Sequence, residues 1–215
     1  MRHIAPVRKE MPNPTIFNLL GPLTNPVEAA LEARMIGVKK QDLVQVFAEA
    51  LRLNGAKKAM VVCGAEDLDE ISCAGPTHCA MLKEVKGHRN AEGEHDVDIE
   101  YFTIRPEDFG LPAHPLNTVS PGLTPEENAD ILRRLLTNQL SEDDPILHFV
   151  LINTAALFVV AGVCDAEEPG RIEEVGPGGG RWKEGVRLAR LAITSGKAME
   201  MIKEFAEITD ELAGQ

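Results

Sequence analysis

The residues from Thr15 to Pro26, TIFNLLGPLTNP, constrain the fold more than any other stretch of the chain. The apolar run Ile16-Phe17-Asn18-Leu19-Leu20 enters Gly21-Pro22 and leaves through Thr24-Asn25-Pro26. Gly21 can adopt backbone angles closed to other residues, while Pro22 fixes its own φ and removes a donor. Pro26 disfavours helical geometry at Asn25, so the string reads as a rigid, shaped loop that leads into a helix. Loops of this kind position substrates, although a lone Gly-Pro also serves as a tight strand-to-helix connector.

Downstream, Val27 to Gly37 and Gln41 to Asn54 are helix-like. In the second, Leu43, Val46, Phe47, Ala50, Leu51 and Leu53 recur near the helical period, and Asn54-Gly55 supplies a stop. Lys57 to Cys63 is a short apolar run ending at Gly64, the pattern of a buried strand. Two further strands are expected at His78 to Val85 and Val97 to Ile104, with Lys86 to Asp96 a polar surface loop between them. Leu111 to Thr124 reads as irregular chain. Thr124-Pro125-Glu126-Glu127 then puts a capping hydroxyl, a proline and acidic residues at a helix start, and that helix should reach about Gln139. A buried helix follows from Pro145 through Val163. Asp165 to Arg181 is acidic and then glycine-rich, and helices from Trp182 to Thr194 and Lys197 to Leu212 close the chain. Strands set among dominant helices predict an α/β fold, a partial layered sheet with flanking helices, and residues 1–215 read as one lobe.

Composition narrows the partners. A formal net charge of −12 and a pI near 5.0 oppose nucleic-acid binding, which requires a basic face. A small anionic substrate stays compatible, because a local basic pocket or a bound cation suffices. No apolar run reaches the roughly 18 residues of a membrane span, so no membrane partner is expected. The opening Met1-Arg2-His3 has no signal-peptide pattern, and the four cysteines are too few for a disulfide scaffold. The expectation is a reducing, cytoplasmic setting.

Two places could carry chemistry. Asp69 and Glu70 follow the expected strand at Ala59 to Cys63, and loops at the carboxyl ends of strands are the usual ligand site in open α/β sheets. Adjacent carboxylates can offer oxygens to Mg²⁺, which keeps several waters and takes one or two protein carboxylates plus substrate phosphates. Taken alone, the pair is equally a solvated acidic turn. Arg8, just ahead of the rigid loop, has the planar fork that matches a carboxylate in two parallel charge-assisted bonds. Alone, it is equally a solvated surface arginine.

Other patterns are weaker. Cys73 and Cys79 with His78, His88 and His95 match no structural zinc spacing, and read as core thiols and loop histidines. Gly176-Pro177-Gly178-Gly179-Gly180 precedes a helix like a phosphate cradle, but it lacks a Walker lysine and follows no strand. It reads as a flexible surface insertion between two helices. His148 and Asn153, within an apolar helix, read as hydrogen-bonded core polar residues.

The Thr15–Pro26 string closely resembles the hinge signature of the anthranilate phosphoribosyltransferases, tryptophan-pathway enzymes that join anthranilate to phosphoribosyl pyrophosphate. The resemblance extends over Met1 to Arg8, Leu68-Asp69-Glu70-Ile71-Ser72, Ile152-Asn153-Thr154-Ala155-Ala156-Leu157 and the terminal helices. It implies a nucleoside phosphorylase/phosphoribosyltransferase-like catalytic lobe, its carboxyl-terminal portion, in which Asp69 and Glu70 bind magnesium beside the pyrophosphate. Arg8 would contact anthranilate, and Gly21 and Pro22 would border the anthranilate channel. No catalytic nucleophile is implied, since positioning and electrostatics carry such a displacement. The complete family enzyme is a homodimer. Its helical amino-terminal domain, its Gly-Thr-Gly-Gly-Asp phosphate loop and its Lys-His-Gly-Asn segment have no counterpart in this sequence. The isolated 215-residue chain is therefore expected to be inactive. A pyrimidine nucleoside phosphorylase-like enzyme and a non-catalytic remnant or binding lobe stay open as alternatives.

Overall fold

Residues 60 and 62 point to one side of a strand and residues 59, 61 and 63 to the other, and every one of them is buried. That strand, β2 (Ala59–Gly64), is the axis of the fold. The computed structural model describes residues 21–23, 32–89 and 95–213. Arg8 and most of the Thr15–Pro26 string lie outside the described residues.

Four strands lie in the order β1-β2-β3-β4: β1 (Arg34–Gly37), β2, β3 (Thr77–Arg89) and β4 (His95–Ile104). β1 runs parallel to β2, with Ile36 opposite Val61, whereas β3 and β4 add antiparallel. The parallel step is made through α1 (Asp42–Leu53), the crossover helix that such a connection requires. Expected helix from Val27 to Gly37 is thus corrected at its end, where Arg34–Gly37 is strand. A segment this short has no period strong enough to decide its state, and pairing with β2 decides it. The hairpin of β3 and β4 also takes in residues at both ends of the expected Lys86–Asp96 loop.

The two faces of the sheet have different partners. Ala59, Val61, Cys63, Ala80 and Leu82 pack with Val44, Phe47, Ala48 and Leu51 of α1. Met60, Val62, Cys79 and Met81 face the larger core built on α3 (Pro145–Ala161) and α4 (Trp182–Thr194). The result is a mixed α/β fold of helix, sheet and helices. β2 lies in the middle layer, which explains its unbroken apolar sequence.

The Thr124 cap acts as the sequence indicates, whereas the buried helix ends at Ala161 rather than Val163. Thr124 accepts a hydrogen bond from the Glu127 amide at 3.2 Å and opens α2 (Pro125–Leu136), which stops at Leu136 rather than Gln139. Asp144 accepts from the Ile146 amide at 2.9 Å and opens α3, and Gly162, at φ 81°, ends it. α5 (Lys197–Ala213) closes the described chain and buries none of its residues. No helix among the described residues is long and apolar enough to cross a membrane.

The glycine-rich segment departs from expectation. Rather than a flexible insertion, Pro177–Gly179 is a 3₁₀ turn with Gly178 buried at φ 63°, where a Cβ would lie 2.4 Å from the Phe102 ring. Trp182 Nε1 donates to the Pro177 carbonyl at 2.9 Å, and Lys83 Nζ donates to the Gly178 carbonyl at 2.5 Å. These glycines serve close packing, so their flexibility in isolation is no guide to their behaviour here.

Candidate metal- and substrate-binding site

β2 delivers the chain into the loop that bears Asp69 and Glu70. The Gly64 amide donates to the Leu68 carbonyl at 2.8 Å, and the Ala65 amide donates to the Pro76 carbonyl at 3.0 Å, so the loop is pinched at its base. Asp67 makes the bend with φ 59°, a left-handed conformation that aspartate tolerates better than most residues. Beyond the acidic pair, Ile71, Ser72 and Cys73 plunge into the core, while Asp69 and Glu70 stay exposed.

Three contacts hold the pair at this edge. Asn153 of α3 accepts from the Ile71 amide at 3.0 Å, and its side-chain nitrogen donates to the Ile71 carbonyl at 3.2 Å. Thr77 Oγ1 accepts from the Ser72 amide at 2.9 Å. Gly37, the last residue of β1, lies against the backbone of Asp69, and a Cβ there would fall 1.6 Å from the Asp69 carbonyl oxygen. No side chain fits in that gap. His148 is the bonded core polar residue expected from the sequence, whereas Asn153 is bonded but only half-buried at the cavity wall, where it locks the peptide that follows Glu70.

The carboxylates face a cavity of about 510 Å³ between β1, β2 and α3, walled by Arg34, Met35, Val62, Asn153 and Leu157. Although Glu70 is exposed overall, the desolvation its carboxyl does suffer, and then the adjacent Asp69 carboxylate, push it above the ordinary value. A divalent cation would relieve both effects. Among the described residues no three His, Cys, Asp or Glu side chains form a metal-binding group. Two carboxylates on an open cleft fit an ion that takes its remaining oxygens from water and substrate phosphates, as Mg²⁺ does. They do not fit an ion needing a full set of protein ligands.

Of the other sequence candidates, Gly21 and Pro22 belong to a 3₁₀ turn, Gly21–Leu23, beside α1. Leu23 packs on the α1 core, and a Cβ on Gly21 would meet nothing within 4 Å among the described residues. The described walls of the cavity do not include this turn. Arg8 falls outside the described residues. Gly37 and Asn153 went unremarked as parts of the site in the sequence, and no local signal marks either, because both act through tertiary contact. All four cysteines are buried thiols without disulfide partners.

Comparison with known proteins follows the same lines. Residues 1–199 match the model of the glycosyl transferase family, a/b domain. The anthranilate phosphoribosyltransferase of Schizosaccharomyces pombe is 40% identical over 211 residues, covering 98% of this chain and 51% of the relative. The solved anthranilate phosphoribosyltransferase from Saccharomyces cerevisiae in complex with PRPP and Mg aligns with a TM-score of 0.74 and 27% identity, over 95% of this chain and 50% of that one. The same yeast enzyme in complex with 4-fluoroanthranilate aligns with a TM-score of 0.75 and 29% identity, again over 95% of this chain and 50% of that one. The chain spans about half the length of the curated relatives it matches.

Proposed function

We propose that this chain, which belongs to the glycosyl transferase family (a/b domain), contributes the metal- and acceptor-facing portion of an anthranilate phosphoribosyltransferase. The enzyme moves the 5-phosphoribosyl group from phosphoribosyl pyrophosphate to the amine of anthranilate. The bond from ribose C1 to the pyrophosphate oxygen breaks as the bond from C1 to nitrogen forms. Pyrophosphate leaves, and the amine loses a proton.

The observation that carries this reading is the paired carboxylate at a cleft mouth, held by Asn153 and by the glycine contact of β1. Asp69 and Glu70 hold Mg²⁺ in this scheme. When bound, the ion neutralises charge building on the departing pyrophosphate. The chain's own work is positioning. Asn153 fixes the loop peptide, Gly37 lets β1 approach it, and Arg8 orients the acceptor carboxylate beside the channel bordered by Gly21 and Pro22. No side chain need form a covalent intermediate, because orientation and charge stabilisation supply most of such a rate. The setting is cytoplasmic, and the whole enzyme is a homodimer with the substrates anthranilate and phosphoribosyl pyrophosphate.

The test is a fusion that joins this chain to the amino-terminal half of the S. pombe relative. Neutralising both carboxylates, as Asp69→Asn with Glu70→Gln, should lower magnesium-dependent turnover by about a hundredfold or more while leaving the melting temperature near that of the parent. Near-normal turnover in that double variant rules out the metal role.

A further inference from the structure

His148 lies on the buried face of α3, only 2% exposed. Its Nε2 is 2.7 Å from the carbonyl oxygen of Glu142, and its Nδ1 is 2.8 Å from Nε2 of His114. A carbonyl can only accept, so the hydrogen on that side belongs to His148 Nε2. The 2.8 Å contact between the rings holds one hydrogen and no more. When His148 is neutral its Nδ1 is a bare acceptor, and His114 Nε2 must donate. An additional proton can still enter at His114 Nδ1 without disturbing the contact. A second cannot, because it would set N–H against N–H.

The pair also has a destination. His114 is bound to the site loop through its backbone: its amide donates to the Cys73 carbonyl at 2.7 Å, and Cys73 Sγ lies 3.6 Å from the His114 carbonyl. α3 therefore grips the same loop twice, directly through Asn153 at Ile71 and indirectly through His148 and His114 at Cys73.

We propose that the His114–His148 contact is a one-proton latch that clasps the acidic loop to α3 and opens when both rings become charged. The surrounding groups favour this. Around His148, burial disfavours the cation most. Arg190 on α4 and His114 on the preceding loop oppose its charge, whereas the Glu142 carbonyl and Asp143 ahead of α3 favour it. Charging of His148 is thus held below the ordinary histidine value of 6.5. The latch stands independently of the catalytic reading, since it concerns only how the loop is held.

Amide hydrogen exchange on the 215-residue chain tests it. The His114 amide should lose about tenfold in protection, corrected for intrinsic exchange, as pH falls from about 7 to about 4.5. The Val38 amide, bonded to Val62 at the far core, should change less than about twofold. His114→Gln should abolish the pH dependence at position 114. Nitrogen-15 spectra of the wild-type rings at neutral pH should place the His148 hydrogen on Nε2, an outcome that does not depend on any variant folding. Flat protection in the wild type, an equal loss in His114→Gln, or a His148 hydrogen on Nδ1 alone would each overturn the latch.

Discussion

Asn153 pairs with both backbone groups of Ile71, accepting at 3.0 Å and donating at 3.2 Å across 82 residues of sequence. The two bonds let a helix side chain stand in for a neighbouring strand, and they end one residue after Glu70. The same amide nitrogen also donates to the Phe149 carbonyl at 3.0 Å within α3. A half-buried amide satisfied on both sides gives the loop a fixed geometry.

Asn153→Ala leaves the buried Ile71 amide and carbonyl without partners. Stability should fall by about 2–3 kcal/mol, read from chemical denaturation. Asn153→Asp keeps the acceptor and loses the donor, so it too should destabilise. A stability change below about 0.5 kcal/mol for Ala would mean that the loop is held by other means.

Gly37 and Gly21 should respond oppositely to alanine. At Gly37 the added methyl collides with the Asp69 carbonyl, and one backbone must move, at a cost of about 3 kcal/mol together with weaker metal binding. At Gly21 nothing among the described residues lies within 4 Å, and stability should stay within about 0.5 kcal/mol. Thermal melts of the two variants, run beside the parent, distinguish these outcomes.

Glu184 ties α4 to the segment before it. It is buried, accepts from the Ile172 amide at 2.9 Å and accepts from Arg187 Nε and Nη2 at 2.8 and 2.6 Å. The Arg187 hydrogen bond, which outweighs the cost of burial, holds its carboxyl below the ordinary value of 4.5. A carboxyl depressed in the folded state stabilises above its unfolded pKa, and that contribution is lost as pH falls through the folded pKa. Wild-type stability should therefore drop as the solution is acidified below pH 4.5. Glu184→Gln should be less stable at neutral pH and show a shallower acid slope. Parallel slopes for the two proteins would remove Glu184 as the cause.

For the acceptor, Arg8→Ala in the fused enzyme should raise the anthranilate KM about ten- to a hundredfold and leave the KM for phosphoribosyl pyrophosphate nearly unchanged. Lysine should restore only part of the loss, since a point charge cannot supply the two-bond fork. Steady-state kinetics with each substrate varied in turn checks it. Equal losses for both substrates would make Arg8 a structural residue.

What the sequence made legible was whatever is encoded locally. β2 shows in the apolar run ending at Gly64, because a strand buried on both faces needs no alternation. The start of α2 follows from the Thr124 cap and the proline beside it, and the expected bounds of α4 match the observed ones. β1 was hidden because four residues carry no period, and its state comes from pairing Ile36 with Val61. The glycine turn before Trp182 was misread as flexible because Phe102 and Trp182, which pack on it, come from other parts of the chain or the following helix. In the candidate site, the adjacent carboxylates Asp69 and Glu70 after β2 are legible as a motif. Its supports at Gly37 and Asn153 are not, since each depends on an approach between elements distant in sequence.

The central claim is that Asp69 and Glu70 hold a divalent cation beside a pyrophosphate group. Mn²⁺ added to the 215-residue chain with pyrophosphate, followed by paramagnetic broadening of backbone amide signals, tests it most directly. Selective broadening should appear at Asp69, Glu70, Ile71 and Gly37 and be lost in the variant carrying Asp69→Asn and Glu70→Gln. Broadening centred elsewhere, or undiminished in that variant, would contradict that claim.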